Sequence, residues 1–148
     1  MPRTNYQQPA SAEADRLIAD LFALGGVGYV ALGAGQEVLM RILPQVATDT
    51  TVESNFYEEL LVNPTLLALA GQRGGLDCGG LRYIAIGYGG FIQLILPMRD
   101  GHVSLGIASD ADAPELAAKA RELLDRHDRA VRHPPPSLLA PGPAPGKP

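Results

Sequence analysis

The sequence predicts an α+β domain, a five-stranded antiparallel sheet with helices on both faces, in the order helix, strand, strand, helix, three strands, helix. Three observations predict it. The period of the apolar residues switches between the helical three-and-four and the β period of two several times along the chain. Glycine-containing turns separate three consecutive β-prone runs in the second half. In the first two of those runs both alternating faces are apolar, the pattern of a sheet covered on both sides. With 148 residues, 46% hydrophobic and 19% charged, the chain has the size and apolar content of one domain with its own core.

Ala14, Leu17, Ile18, Leu21 and Phe22 form one apolar stripe, so a first helix is expected over 12–24, ended by Gly25-Gly26. Val27 to Leu32 and Glu37 to Ile42 read as a hairpin, the second strand turning Val38, Met40 and Ile42 to one side. Pro44 to Thr51 is polar and irregular. A second helix follows over 52–73, with Phe56, Tyr57, Leu60, Leu61 and Leu67 at helical spacing and Val62, Leu66 and Leu69 off that stripe. Pro64 lies within it and predicts a kink or break, unless Asn63 caps a new helix with Pro64 in its first turn.

Gly71 to Gly80 reads as a glycine-rich connector. Leu81–Tyr88, Phe91–Met98 and Val103–Ala108 form a meander whose turns, at Gly89-Gly90 and Arg99-Asp-Gly101-His, are expected to use positive φ. Asp112 caps a third helix running to about Arg132, with Leu116, Ala120, Leu123 and Leu124 inward and acid-first i,i+4 charge pairs such as Glu115–Lys119 outward. The folded domain is thus 11–132, between a flexible segment 1–10 and a tail, 133–148, that holds more than half of the 13 prolines and reads as disordered and dispensable for folding.

Composition and motifs exclude more chemistry than they suggest. A net charge of −4 without a basic stripe argues against nucleic acid. Single Cys78, the absence of a signal-like start and the lack of a long apolar run predict a cytoplasmic protein with no integral membrane segment. Gly26-Val-Gly28-Tyr-Val-Ala31 matches a dinucleotide pattern in letters only, since a helix precedes it and a strand follows. Gly101-His-Val-Ser104 is a hairpin and not a nucleophile elbow, and His102, His127 and His133 lack metal-ligand spacing. Glu58 and Glu59 are adjacent on a helix, point about 100° apart and do not share a site. No enzymatic activity, catalytic residue, metal or cofactor is expected.

The element order, together with Gly26-Val-Gly-Tyr-Val-Ala-Leu-Gly-Ala-Gly-Gln-Glu37, the run Gly79-Gly-Leu-Arg-Tyr-Ile-Ala-Ile-Gly-Tyr-Gly-Gly90 and the segment Ile92 to Ile107, resembles the roadblock, or dynein light chain roadblock, family over about Ala14 to Leu124. Longin, profilin, GAF and PAS folds share parts of that sheet. The resemblance implies a strand order of 2-1-5-4-3 and a small non-catalytic protein that dimerises and binds a Ras-like small GTPase in a bacterial signalling module. On that basis Leu81–Tyr88 is an edge strand, and Leu67, Tyr83, Ile84 and Ile86 are candidates for the homodimer interface. Phe56, Tyr57, Leu60 and Leu61, rimmed by Glu53, Glu58 and Glu59, are candidates for the GTPase surface, or else for the helix's own contact with its sheet. Two alternatives stay open: a PAS- or GAF-like sensor with Gln93 and Tyr83 as pocket polar groups, and an oligomeric scaffold working through the Pro-rich tail.

Overall fold

A helix closed by two glycines feeds the sheet. In the computed structural model, which describes residues 12–34, 37–43, 55 and 57–132, with the backbone alone for residues 77 and 129–132, α1 spans Ala12–Phe22 and buries Leu17, Ile18 and Leu21. The segment 1–10, Glu53, Phe56, the stretch from Pro44 to Thr51 and the Pro-rich tail lie outside the described residues. Gly25 and Gly26, at φ 90° and 74°, turn the chain into β1 (Val27–Ala34), which pairs with β2 (Glu37–Ile42) from Tyr29–Ile42 to Ala34–Glu37. A π-helical turn (Glu58–Val62) leads into α2 (Asn63–Asp77), then β3 (Ile84–Gly87), β4 (Ile92–Met98), β5 (Gly101–Ile107) and α3 (Ala113–Arg132). All strand pairs are antiparallel and the sheet order is β2-β1-β5-β4-β3, which leaves β2 and β3 as edges.

The two faces of the sheet differ in chemistry. Val30, Leu94, Leu96, Val103, Leu105 and Ile107 pack against the stripes of α1 and α3, and each is at most 1% exposed. At about 1.5–3 kcal/mol for each such side chain removed from water, this face supplies most of the hydrophobic stabilisation. Asp112 Oδ1 accepts the Glu115 backbone N–H at 3.0 Å and sets the start of α3, while Glu115 and Lys119 pair at 3.3 Å on its outer side. The opposite face is smaller and mixed: Tyr29, Ala31, Val38 and Met40 form a cluster against Leu60 and Phe91.

Several expectations need correction. Gly89, Gly90 and Gly101 do not adopt positive φ; among the described glycines that conformation belongs to Gly25, Gly26, Gly79 and Gly80. Gly101 is needed for space instead, since a Cβ there would run into the Gly33 carbonyl oxygen. The glycine-rich connector is largely helical, because α2 passes through Gly71, Gly74 and Gly75 to Asp77. The Gly80 N–H donates to the Gly74 carbonyl at 2.8 Å, and a Cβ on Gly74 would sit 2.8 Å from the Leu81 nitrogen, so the bare helix lets the returning chain lie against it. The return also shortens β3, which forms over Ile84–Gly87 only.

Glycine shapes the mixed face as well. Across the β1–β5 pair Tyr29 faces Gly106 and Gly33 faces His102, and each ring lies over the opposing glycine. A Cβ on Gly106 would meet Tyr29 Cδ2 at 2.6 Å, and one on Gly33 would meet His102 Nδ1 at 2.8 Å. Gly33→Ala should therefore destabilise the domain by about 1–3 kcal/mol in urea denaturation. Gly75→Ala, on the exposed side of α2 with open space around its Cβ position, should stabilise it by up to about 1 kcal/mol.

Candidate functional site

Pro64 organises the segment in which the sequence places the partner-binding residues. It has no N–H to donate, and its ring crowds the carbonyl four residues back, that of Leu60. The chain does not break there. Val62 and Asn63 keep right-handed helical angles, and the strain is met by widening the coil: the Asn63 N–H donates to the Glu58 carbonyl, five residues back. Asn63 is not a cap as one reading of the sequence had it; its side chain is fully buried and its Nδ2 donates to Glu59 Oε1 at 3.0 Å.

The two adjacent carboxylates diverge, as their spacing requires. Glu59 is 1% exposed, which corrects the expectation that it belongs to an acidic rim. Its Oε2 accepts the Tyr29 hydroxyl at 2.6 Å and Gln93 Nε2 at 2.9 Å; its Oε1 accepts Asn63 and, with Glu59 ionised, the His102 Nε2–H at 2.7 Å. Ser104 closes the cluster, taking Gln93 Nε2 at 2.6 Å and lying 3.3 Å from the Tyr29 hydroxyl. Burial, with the Glu59 charge next in importance, holds the Tyr29 phenol well above its ordinary value of 10.0. Glu59 and His102 border a cavity of about 340 Å³, yet both carboxylate oxygens already carry two donors, so the pair is committed to the fold and offers no free acceptor to a substrate.

Glu58 turns outward and accepts the Tyr88 hydroxyl at 2.6 Å, and the Tyr88 ring stacks on Phe91 with centroids 5.2 Å apart. This bond to Glu58, ahead of burial, pushes the Tyr88 phenol up to about 12. Tyr57 and Leu61 are 61% and 53% exposed, whereas Leu60 is half-buried against the mixed-face cluster and belongs with the core. Farther along α2, Leu69 and Leu76 are 64% and 80% exposed and Leu67 is half-buried. Ile84 and Ile86 are half-buried on the β3 edge, and Tyr83 packs against the α1–α3 core with Arg82 over its ring at 5.6 Å. Sequence reasoning does not find Tyr29, His102 and Ser104 around Glu59 or Tyr88 at Glu58, and it offers Asn63 only as a cap and Gln93 only as a pocket group. Polar residues on alternate positions of otherwise apolar strands, Gln93 in β4 with His102 and Ser104 in β5, were the available signal.

No protein-family model matches the sequence, and no curated protein does. Solved structures match over most of the chain. A Roadblock/LC7 domain from Streptomyces avermitilis is 17% identical, with a TM-score of 0.56 over 85% of this chain and 98% of its own. The gliding protein MglB from Thermus thermophilus is 12% identical, with a TM-score of 0.57 over 83% and 90%. An MglB with a tetrameric arrangement is 9% identical, with a TM-score of 0.54 over 80% and 95%. The chain therefore has the roadblock fold, and among its described residues no helix is long and apolar enough to cross a membrane.

Glu59→Ala would strand the buried Asn63 and His102 donors and take one partner each from Tyr29 and Gln93, which keep Ser104, and should cost at least about 3 kcal/mol of stability in chemical denaturation. Alkaline titration followed by phenolate absorbance should find Tyr88 ionising near pH 12, and Glu58→Gln should return it toward 10.0. Because the folded value is raised, the stability from this bond is fully present below pH 10.0 and is lost as the pH rises through about 12.

Proposed function

We propose that this chain forms a homodimer that binds a Ras-like small GTPase and regulates it without performing chemistry of its own. The observation that carries this reading is the uncovered apolar surface of the π-turn and α2. Tyr57, Leu61, Leu69 and Leu76 are all more than half exposed, although a helix rich in leucine normally rests on a core. Part of this surface suits a second copy: Leu67, Leu69 and Leu76 lie on α2, and the β3 edge, with Ile84 and Ile86, has unpaired backbone groups that pairing with its twin would satisfy. Likeness in fold to roadblock proteins, one of them tetrameric, supports self-association.

The GTPase surface in this reading is Tyr57, Glu58 and Leu61, with Phe56, which lies outside the described residues, as a fourth candidate. Aromatic and leucine anchors beside a carboxylate suit a partner whose switch loops are flanked by basic residues. Binding one nucleotide state of those loops better than the other shifts their populations, and holding them in a reactive geometry speeds hydrolysis by residues the GTPase itself supplies. Glu59 and Leu60 act beneath the surface, by fixing the turn that presents it.

Sedimentation at micromolar concentration should show a dimer, and Leu69→Glu with Leu76→Glu should convert it to a monomer of unchanged helical content. A wild-type monomer would overturn the dimer. A GTPase from the source organism, loaded with GDP or a GTP analogue, should be retained in at least one state, and Glu58→Arg should weaken retention by about tenfold beyond the effect of Tyr88→Phe, which loses the same hydrogen bond and so has a comparable cost of about 1–3 kcal/mol in stability. Retention in neither state would overturn the partner.

A further inference from the structure

At the end of the mixed face nearest the Gly25-Gly26 turn the sheet is bare. Gly26, Gly28 and Gly90 put no side chains there, and a cavity of about 520 Å³ remains between the sheet and the chain entering the π-turn. Its volume falls within the roughly 300–1,000 Å³ of small-molecule sites. The residues lining it are mostly apolar and none carries a formal charge, so an ionic ligand would lose its hydration with no counter-charge in return. Beside Tyr29, whose hydroxyl is engaged with Glu59 and Gln93, one polar side chain with both a donor and an acceptor, that of Asn55, stands in the wall and is 6% exposed. Gln93 and Tyr83, the pocket groups expected from the sequence, do not line it.

Two aromatic rings complete the wall, and each leads to one of the paired carboxylates. The Tyr29 hydroxyl donates to Glu59 at 2.6 Å. Phe91 stacks on Tyr88, whose hydroxyl donates to Glu58 at 2.6 Å. Both paths end on the π-turn, whose widened bonding is held from below by the buried Glu59.

We propose that this cavity binds a neutral, predominantly apolar small molecule carrying one hydrogen-bonding group for Asn55, and that occupancy is transmitted through Tyr29–Glu59 and Phe91–Tyr88–Glu58 to the outward face of the π-turn. The site is independent of the identity of any protein partner. A ligand whose contacts favour one position of the Tyr29 and Phe91 rings over another shifts the carboxylates bonded along these paths, and with them the presentation of Tyr57 and Leu61, by its differential affinity for those positions.

The test is a nuclear magnetic resonance titration of the full chain with naphthol, a neutral bicyclic probe bearing one hydroxyl, and with its anionic analogue naphthalenesulfonate. Naphthol should produce saturable amide shifts at Gly28, Asn55 and Gly90, with further shifts at Tyr57 and Leu61, and naphthalenesulfonate should bind about tenfold more weakly. Gly90→Leu should weaken naphthol binding by about tenfold; Gly90 has open space at its Cβ position and no positive φ, so this variant should fold. Tyr88→Phe keeps the stacked ring and loses the bond to Glu58, so it should bind naphthol as the wild type does with a reduced response at Leu61. No saturable shift, equal binding of the anion, or unimpaired binding by a folded Gly90→Leu variant would overturn the site. So would contacts of the Val46 or Val52 methyls with the Phe91 ring in the ligand-free protein, because the segment 44–54 would then be the occupant. Shifts confined to the cavity would overturn the transmission. None of these readouts involves a GTPase, so the site and the proposed partner fail separately.

Discussion

One buried carboxylate joins the helical segment to the sheet. Glu59 receives donors from β1, β4, β5 and α2, and each of these groups would be costly to bury without it. The arrangement is specific in a way apolar packing is not. Leucine in place of Glu59 would fill similar space yet leave the register of the π-turn free to slip, whereas a carboxylate with four directional donors accepts one position only. The remaining mixed-face contacts, Leu60 and Phe91 on a small apolar cluster, are too few to impose that position alone.

The anchoring is confined to one end of the helix. Beyond Asn63, α2 places its leucines at half-buried or exposed positions, and its far end is tied back through the Gly74–Gly80 turn to the chain entering β3. Helix and edge strand are thus linked in sequence and are both incompletely covered.

The large core was legible from the sequence because it follows periodicity. The stripes of α1 and α3, the Asp112 cap, the alternation of β2 and the element order all follow from spacing alone. What was not legible depended on long-range approach. Gly33, Gly101 and Gly106 act through space, which no local φ preference reveals, and Glu59 looked like surface because its four donors are separated from it by 4 to 43 residues. Pro64 predicts a kink, a break or a newly capped helix because local rules weigh a lost hydrogen bond against α-helical continuation and do not anticipate a π-turn held from outside by a buried anchor.

The glycine and ring pairs of the central strands imply a covariation rule. Tyr29 and Gly33 stand four positions apart on β1, and His102 and Gly106 stand four apart on β5, in antiparallel register with each ring over the other strand's glycine. Neither member of a pair changes cheaply on its own: a larger residue for the glycine strikes the ring, and a small residue for the ring uncovers bare backbone and removes a donor from Glu59. Exchange should therefore occur in concert, with carboxylate, rings and glycines lost or kept together. A ring-x-x-x-Gly motif on each of two strands, with Glu in the intervening helix a few residues before a proline, is a pattern by which this buried anchor can be sought in sequences too divergent to align.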